Sequence, residues 1–335
     1  MKAAIFGAGS LGTIMGAYLT KGGVPIELVT RNKAHVDALN QHGATVTGTV
    51  NMNVPVTALT PDQMQGPYDV IFLMTKQLDN EATVHDLEPL LAPDGVICTL
   101  QNGLPEMLIS SIVGPARTMG CTVAWGATMT APGVSELTSE PDALSFGLGV
   151  FSPVPERRAH EVQQLLETMC PVELEPNFIG ARYSKLLINA SFSGMSAVLG
   201  STFGEAANDK RSRVYVQRII KECLDVADAA GIRVEPIQGT DVAKLLNYHG
   251  ALKRMISFAI IPIAIKKHAR LRASMLQDLE HGKRTEVDAI NGSVCRLGAE
   301  HDVPTPVNDA VVELIHQMER DERTPGWDNL AALPA

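Results

Sequence analysis

Ala3-Ala4-Ile5-Phe6-Gly7-Ala8-Gly9-Ser10-Leu11-Gly12 stands close to the start of the chain. Four apolar residues run into a G-x-G-x-x-G turn, and Leu11, Met15 and Leu19 follow at helical spacing. A glycine turn between a short buried strand and a helix is the form of a dinucleotide-binding site. Gly7 permits the tight exit from the strand, Gly9 lets the backbone approach a pyrophosphate, and Gly12 lets helix pack closely on strand. The pyrophosphate rests on the helix N-terminus, where unpaired N–H groups and the helix dipole favour negative charge. Gly7, Ala8, Gly9, Ser10, Leu11 and Gly12 are therefore the expected cofactor cradle.

The next strand, Ile26–Val29, bears on which dinucleotide is held. NAD sites usually end this strand in Asp or Glu, which binds the ribose 2′-hydroxyl. Here the strand runs out through Thr30-Arg31-Asn32-Lys33, with no acid. Arg31 can fork onto a 2′-phosphate, which favours NADPH/NADP+.

The bulk properties narrow the class. The chain has 335 residues, 45% of them hydrophobic, which suits two domains with full cores. Net charge is −9, which argues against nucleic acid or an anionic membrane as a partner. Met1-Lys2 leads straight into the first strand with no signal-peptide pattern, and the apolar run Met255–Ile265 is too short to span a bilayer. That run is expected to be a buried helix segment. The five cysteines lie far apart and show neither a disulfide framework nor zinc spacing, and the nine histidines show no metal-ligand motif. A cytoplasmic protein without a metal is expected.

Up to about Pro176, strand and helix signals alternate. Tyr68–Leu73, Gly95–Thr99 and Thr118–Ala124 read as strands, and Asn80–Leu91 and Leu104–Ile112 as helices. Gly43–Asn53 reads as hairpin strands. This predicts α/β architecture: an N-terminal Rossmann-type doubly wound parallel sheet over residues 1–176, binding NADP. Thr75-Lys76-Gln77 and Gln101-Asn102-Gly103 follow two of its strands and fall on the cofactor edge. Residues 177–335 read as an all-α C-terminal domain, with helices at Phe178–Leu199, Ser212–Ala230, Gly239–Tyr248, Lys283–Ala299 and Pro306–Arg320. The tail from Arg323 is expected to be loosely held.

Phe178–Leu199 is apolar on nearly every side, yet Lys185, Asn189 and Ser193 recur at i, i+4 and i+8. A polar stripe headed by lysine on a buried helix is costly unless it faces a cleft or a partner. In Thr285–Leu297, Glu286 shares a helical face with Ile290, Ser293 and Leu297, which makes it a candidate inward carboxylate. Each of these charges is costly alone, and each is tolerable opposite the other.

Taken with Arg31, Lys76, Gln101-Asn102-Gly103, Lys185-Leu186-Leu187-Ile188-Asn189, Ser274-Met275-Leu276-Gln277-Asp278 and Arg284-Thr285-Glu286-Val287-Asp288, the chain resembles the ketopantoate reductase (2-dehydropantoate 2-reductase) family over nearly its whole length. The resemblance implies a Rossmann domain followed by a helical substrate and catalytic domain, and a step of the coenzyme A pathway. It implies that Lys76 and Asn102 contact NADPH and that Lys185 is the general acid. Asn189 and Ser274 would bind substrate, and Glu286 would orient substrate or cofactor. The sequence departs from the family where Ser193 and Phe203 stand in place of two substrate-binding asparagines, and this relaxes the pocket toward apolar substrates. Ser193 is kept as a substrate-side candidate.

The expected reaction is NADPH-dependent reduction of a small 2-oxo acid, with ketopantoate to D-pantoate foremost. A more apolar 2-oxo acid is the alternative substrate, and a non-catalytic NADP sensor the alternative class. The long helices leave a homodimer open.

Overall fold

Alternation at period two shapes the first half of the chain. The structure, a computed structural model, describes residues 1–150, 154–236 and 239–334. In β1 (Ala3–Phe6), Ala3 and Ile5 join one apolar core, and Ala4 joins another with Phe6 against it. Both faces of the strand are thus covered, as parallel sheets require. The chain forms two compact units, the first comprising Met1–Gln101 and Pro105–Phe178.

After β1, this unit runs α1 (Ser10–Lys21), β2 (Ile26–Val29), α2 (Lys33–His42), β3 (Ala44–Gly48), β4 (Met52–Val54), β5 (Thr57–Leu59) and β6 (Tyr68–Leu73). It continues with α3 (Asn80–Leu87), β7 (Leu91–Thr99), α4 (Pro105–Val113), β8 (Thr118–Val123), β9 (Ala127–Ala131), β10 (Val134–Leu137), β11 (Phe146–Val150), α5 (Glu156–Glu167) and β12 (Val172–Leu174). The main sheet has eight strands in the order β12-β11-β8-β7-β6-β1-β2-β5. From β5 to β8 neighbours are parallel, and β11 runs antiparallel to β8. The expected Rossmann-type sheet is present. The expected Gly43–Asn53 hairpin is β3 and β4, and it belongs to a second, four-stranded sheet, β4-β3-β10-β9. Parallel pairing of β10 with β3 joins two segments distant in sequence, and this sheet packs on α1.

His35 ties these pieces together. Its ring is fully buried on α2. The Gly133 backbone N–H donates to Nδ1 at 2.9 Å, so the proton sits on Nε2, which donates to Thr13 Oγ1 at 3.0 Å. One neutral imidazole thus joins α2, α1 and the turn before β10.

The second unit is Asn102–Leu104 with Ile179–Ala335, and its described residues form helices and no strand. It contains α6 (Phe178–Ile188), a π-helical turn (Asn189–Ser193), α7 (Gly194–Leu199), α8 (Phe203–Asn208) and α9 (Lys210–Ala229). These are followed by α10 (Val242–Leu246), α11 (Ala251–Ala264), α12 (Ser274–Glu280), α13 (Asn291–Glu300) and α14 (Pro306–Glu319). Every residue of α7 is buried, and α8, α9, α12 and α14 pack against it.

Four expectations are corrected. The helix expected over Phe178–Leu199 is interrupted by the π turn. The helix expected over Lys283–Ala299 begins only at Asn291, after a 3-10 turn at Val287–Ala289. Tertiary bonds hold the preceding segment out of helix: the Thr285 N–H and hydroxyl both donate to Glu319 Oε1 at 2.7 Å. Met255–Ile265 is helical in its α11 part, yet Met255 is 69% and Ile263 71% exposed, and only Ser257 and Ile261 are buried within α11. The tail is packed: Asn329 is buried and donates to the Val198 carbonyl at 2.9 Å, and Leu333 is buried beyond it.

Burial holds the His35 imidazole below its ordinary pKa. The unfolded chain therefore takes up a proton at a higher pH than the folded chain. His35 stabilisation is complete above about pH 6.5 and is lost as pH falls toward the folded value. Replacing His35 with Leu should lower stability by about 1–3 kcal/mol at neutral pH. It should also flatten the loss of melting temperature between neutral and mildly acidic buffer; an unchanged slope would remove this role from His35.

Candidate functional site

The parallel order β2-β1-β6-β7 brings four loop openings onto one sheet edge, across about 15 Å at the usual strand spacing. The residues after β2 carry Arg31, those after β1 form the glycine turn, those after β6 carry Lys76 and those after β7 carry Asn102. Ligands of such sheets bind beyond the carboxyl ends of the strands.

The three glycines of the turn differ in what demands them. Gly7 has φ +110°, and a Cβ there would lie 2.5 Å from the Thr75 nitrogen. A Cβ on Gly12 would lie 2.6 Å from the Gly7 carbonyl oxygen. Both positions are closed by the protein itself. Over Gly9 the nearest atom to an added Cβ is 4.0 Å away. Nothing in the protein excludes a side chain there, and the open space lies at the start of α1. Gly9 is also the N-cap of α1 and supplies no side-chain cap. An open cradle at an uncapped helix N-terminus fits a pyrophosphate. The Gly7 and Ala8 N–H groups both donate to the Val29 carbonyl at 2.9 Å and anchor the turn to β2.

Beyond β2, Arg31 and Lys33 are exposed and Thr30 is half-buried. Asn32 caps α2, its Oδ1 accepting from the His35 N–H at 3.2 Å. This basic segment fits a 2′-phosphate by its donor set.

One residue of this edge carries a role that its sequence motif did not disclose. Gln101 is buried, and its Nε2 donates to the Thr75 carbonyl at 2.9 Å and to Asn80 Oδ1 at 2.8 Å. Its Oε1 accepts from Thr99 Oγ1 at 3.0 Å. Gln101 therefore clamps the loop after β6 to the loop after β7. Lys76, exposed, and Asn102, half-buried, adjoin that clamp. Trp125 is buried edge-on against Phe146, with centroids 6.0 Å apart, and is a packing residue.

In the helical unit Asn189 and Ser193 lie on the π turn, and Lys185, Ser274 and Glu286 lie on other segments. Lys185 lies in the last turn of α6 and is half-buried. Asn189 opens the π turn, half-buried, and Ser193 closes it at 7% exposure. Ser274 begins α12, which packs against both α7 and the π turn, and its side chain is exposed. Glu286 is half-buried, but not on a helix face with Ile290, Ser293 and Leu297. It precedes the 3-10 turn, and Ile290, at φ −105° and ψ −89°, breaks the chain before α13. That 3-10 turn packs against α13, and α13 packs against the π turn. Phe203 is buried and stacks on Phe192 of the π turn, with centroids 5.9 Å apart. π turns arise where one extra residue is accommodated in a helix, often at functional sites.

A dinucleotide cradle on a doubly wound sheet, joined in one chain to an all-α unit with a half-buried lysine and asparagine at a π turn, defines a Rossmann-type oxidoreductase. The pattern of the family described as ketopantoate reductase PanE/ApbA matches residues 3–149, and that of the family's C-terminal region matches residues 177–319. The chain is 29% identical to 2-dehydropantoate 2-reductase of Mesorhizobium japonicum, covering 95% of this chain and 98% of that protein. It is 25% identical to the Pyrococcus horikoshii protein of the same name, again covering 95% and 98%. Among solved structures, D-mandelate dehydrogenase with NADH and anilino(oxo)acetate superposes with TM-score 0.81 at 24% identity, over 96% of this chain and 99% of that one. The chain belongs to the ketopantoate reductase family, whose members are nicotinamide-dependent oxidoreductases.

The difference between Gly9 and Gly12 is testable. Gly12→Ala should destabilise the cofactor-free protein by about 1–3 kcal/mol through overpacking. Gly9→Ala should leave its melting temperature unchanged and weaken NADPH binding about tenfold or more, read by fluorescence titration. Equal melting loss in both variants would remove the cradle assignment.

Proposed function

We propose that the protein reduces 2-dehydropantoate (ketopantoate) to D-pantoate with NADPH. Residues 1–176 hold the cofactor, and residues 177–335 supply the substrate and catalytic groups. The observation that carries this reading is Lys185: an ammonium kept half-buried in a helix whose neighbours are core residues, one turn ahead of Asn189. A protein that merely sensed the dinucleotide would need no such group.

A reduced nicotinamide held at the glycine turn would supply the hydride for the keto carbon. Lys185 donates a hydrogen bond to the keto oxygen and stabilises the negative charge that develops on it. It then transfers its proton to that oxygen, so hydride and proton together complete the alcohol. Asn189 donates its amide N–H to the same oxygen and fixes the carbonyl's orientation. The Ser274 hydroxyl donates to the substrate carboxylate, and Ser193 lies on the same side. Glu286 accepts from a hydroxyl of substrate or cofactor ribose and holds the Lys185 ammonium in place. Arg31 pairs with the 2′-phosphate, while Lys76 and Asn102 contact the dinucleotide.

A second reading is favoured by one observation. The Phe192–Phe203 stack, with Ser193 beside it, makes this flank of the unit apolar. A site lacking amides to pair a substrate hydroxyl discriminates weakly against substrates without one. A bulkier, more apolar 2-oxo acid is then the better substrate.

Following NADPH absorbance with ketopantoate and with aliphatic and aromatic 2-oxo acids separates these readings by kcat/KM. Oxidation with none of them would overturn both. Lys185→Ala should lower kcat by 10²–10⁴-fold, the usual worth of a general acid, and leave the NADPH dissociation constant within about twofold; equal loss in both would remove its role. Arg31→Ala should raise KM for NADPH about tenfold and spare NADH.

A further inference from the structure

Asn291 was not among the candidate site residues, yet it touches the element that carries Asn189. Its side chain is fully buried at the start of α13. One Nδ2 proton goes to the Ala190 carbonyl, inside the π turn, at 3.0 Å. The other goes to Asn308 Oδ1 at 2.9 Å. Asn308, also fully buried, donates its own Nδ2 to Glu222 Oε2 at 2.7 Å. Glu222, on α9, further accepts from the backbone N–H of Asn308 at Oε2 and of Val307 at Oε1, each at 3.0 Å.

The direction of this chain is fixed from one end. Both carboxylate oxygens of Glu222 receive N–H donors, so the group acts as an acceptor. Asn308 must then present its amide nitrogen to Glu222 and its oxygen to Asn291. Asn291 must in turn present both protons outward, one of them to Ala190. Asn291 Oδ1 is left buried with no hydrogen-bond partner among the described residues. A buried acceptor without a partner is costly, and here it is tolerated to keep both donors in the chain. Room for this arrangement depends on Gly194, where an added Cβ would lie 2.9 Å from Asn291 Oδ1. On the other side, Ser191 Oγ donates to the Leu187 carbonyl at 2.7 Å and binds the turn back to α6. The π turn is thus held from both directions; Asn189 opens it, and Lys185 lies one helical turn earlier on α6, to which Ser191 binds it.

We infer that the buried relay Glu222–Asn308–Asn291 positions the π turn, and through it Lys185 and Asn189, an inference that rests on the reductase reading for its catalytic consequence. Asn291 is a positioning residue: it touches no reacting group and acts through the Ala190 carbonyl. Hydrogen-bonded side-chain networks of this kind act as a unit, so loss of one member loosens the rest.

The test uses the full-length protein with Asn291→Asp, which replaces both donors without changing shape, and Asn291→Ala should the aspartate variant fail to fold. Backbone hydrogen exchange is read in the segment 186–194 and, as a reference, in the core of α9. The expected result is at least tenfold faster exchange in 186–194 with α9 little changed. With the 2-oxo acid that the wild type turns over best, kcat should fall at least tenfold while KM for NADPH stays within about twofold. Unchanged exchange in 186–194, or exchange raised equally in α9, overturns the inference. So does unchanged kcat beside faster local exchange. Should the wild type turn over no 2-oxo acid, the reductase reading fails by itself, and the exchange pattern alone decides whether the relay holds the turn.

Discussion

Two backbones meet at the first turn with no room for a side chain between them. Gly7 lies against Met74 and Thr75, and Gly12 lies over the Gly7 carbonyl. These approaches press α1 onto β1 and bring the exit of β1 beside the exit of β6. The helix N-terminus is thereby aimed at the sheet edge, where its orphan N–H groups can meet an anion. Gly9 is the exception, a glycine facing open space. Within one motif, structural need accounts for two glycines and leaves the third for a ligand.

Two buried polar side chains then fix what surrounds that turn. The neutral His35 ring joins α1, α2 and the turn before β10, and Gln101 joins the loops after β6 and β7. Neither touches the proposed ligand positions through a charge. Each satisfies backbone or side-chain groups that would otherwise be buried unpaired, and each therefore holds a loop at a defined place. The precision of the cofactor edge rests on these satisfied bonds more than on the exposed cations that would grip the phosphate.

The helical unit applies the same rule to a different problem. A π turn interrupts the helix that carries Lys185 and Asn189, and its backbone must be bonded elsewhere. Ser191 bonds back to the Leu187 carbonyl of α6, Asn291 bonds the Ala190 carbonyl, and Glu222 sets the polarity of Asn291 from α9 through Asn308. The geometry of the π turn is consequently set by bonds that reach α6, α9, α13 and α14, and not by its own helix alone.

Much of this was legible in the chain itself. The glycine spacing, the apolar run before it and the alternation of strand and helix signals report local steric needs, and local sterics are written in consecutive residues. The arginine after β2 and the lysine inside an apolar helix were visible because a charge out of place is conspicuous in any sequence. The periodicity that put Glu286 on a helix face misled, since Thr285 is bonded to Glu319, thirty-four residues away, and the segment is held out of helix. The joining of β3 to β10, the packing of the tail on α7, and the relay through Asn308 and Asn291 were equally silent. Sequence by itself determined the elements and the chemical groups, because those follow from each residue and its near neighbours. Tertiary structure alone decided which buried polar groups satisfy one another, because hydrogen-bond partners are chosen by distance in space and not along the chain.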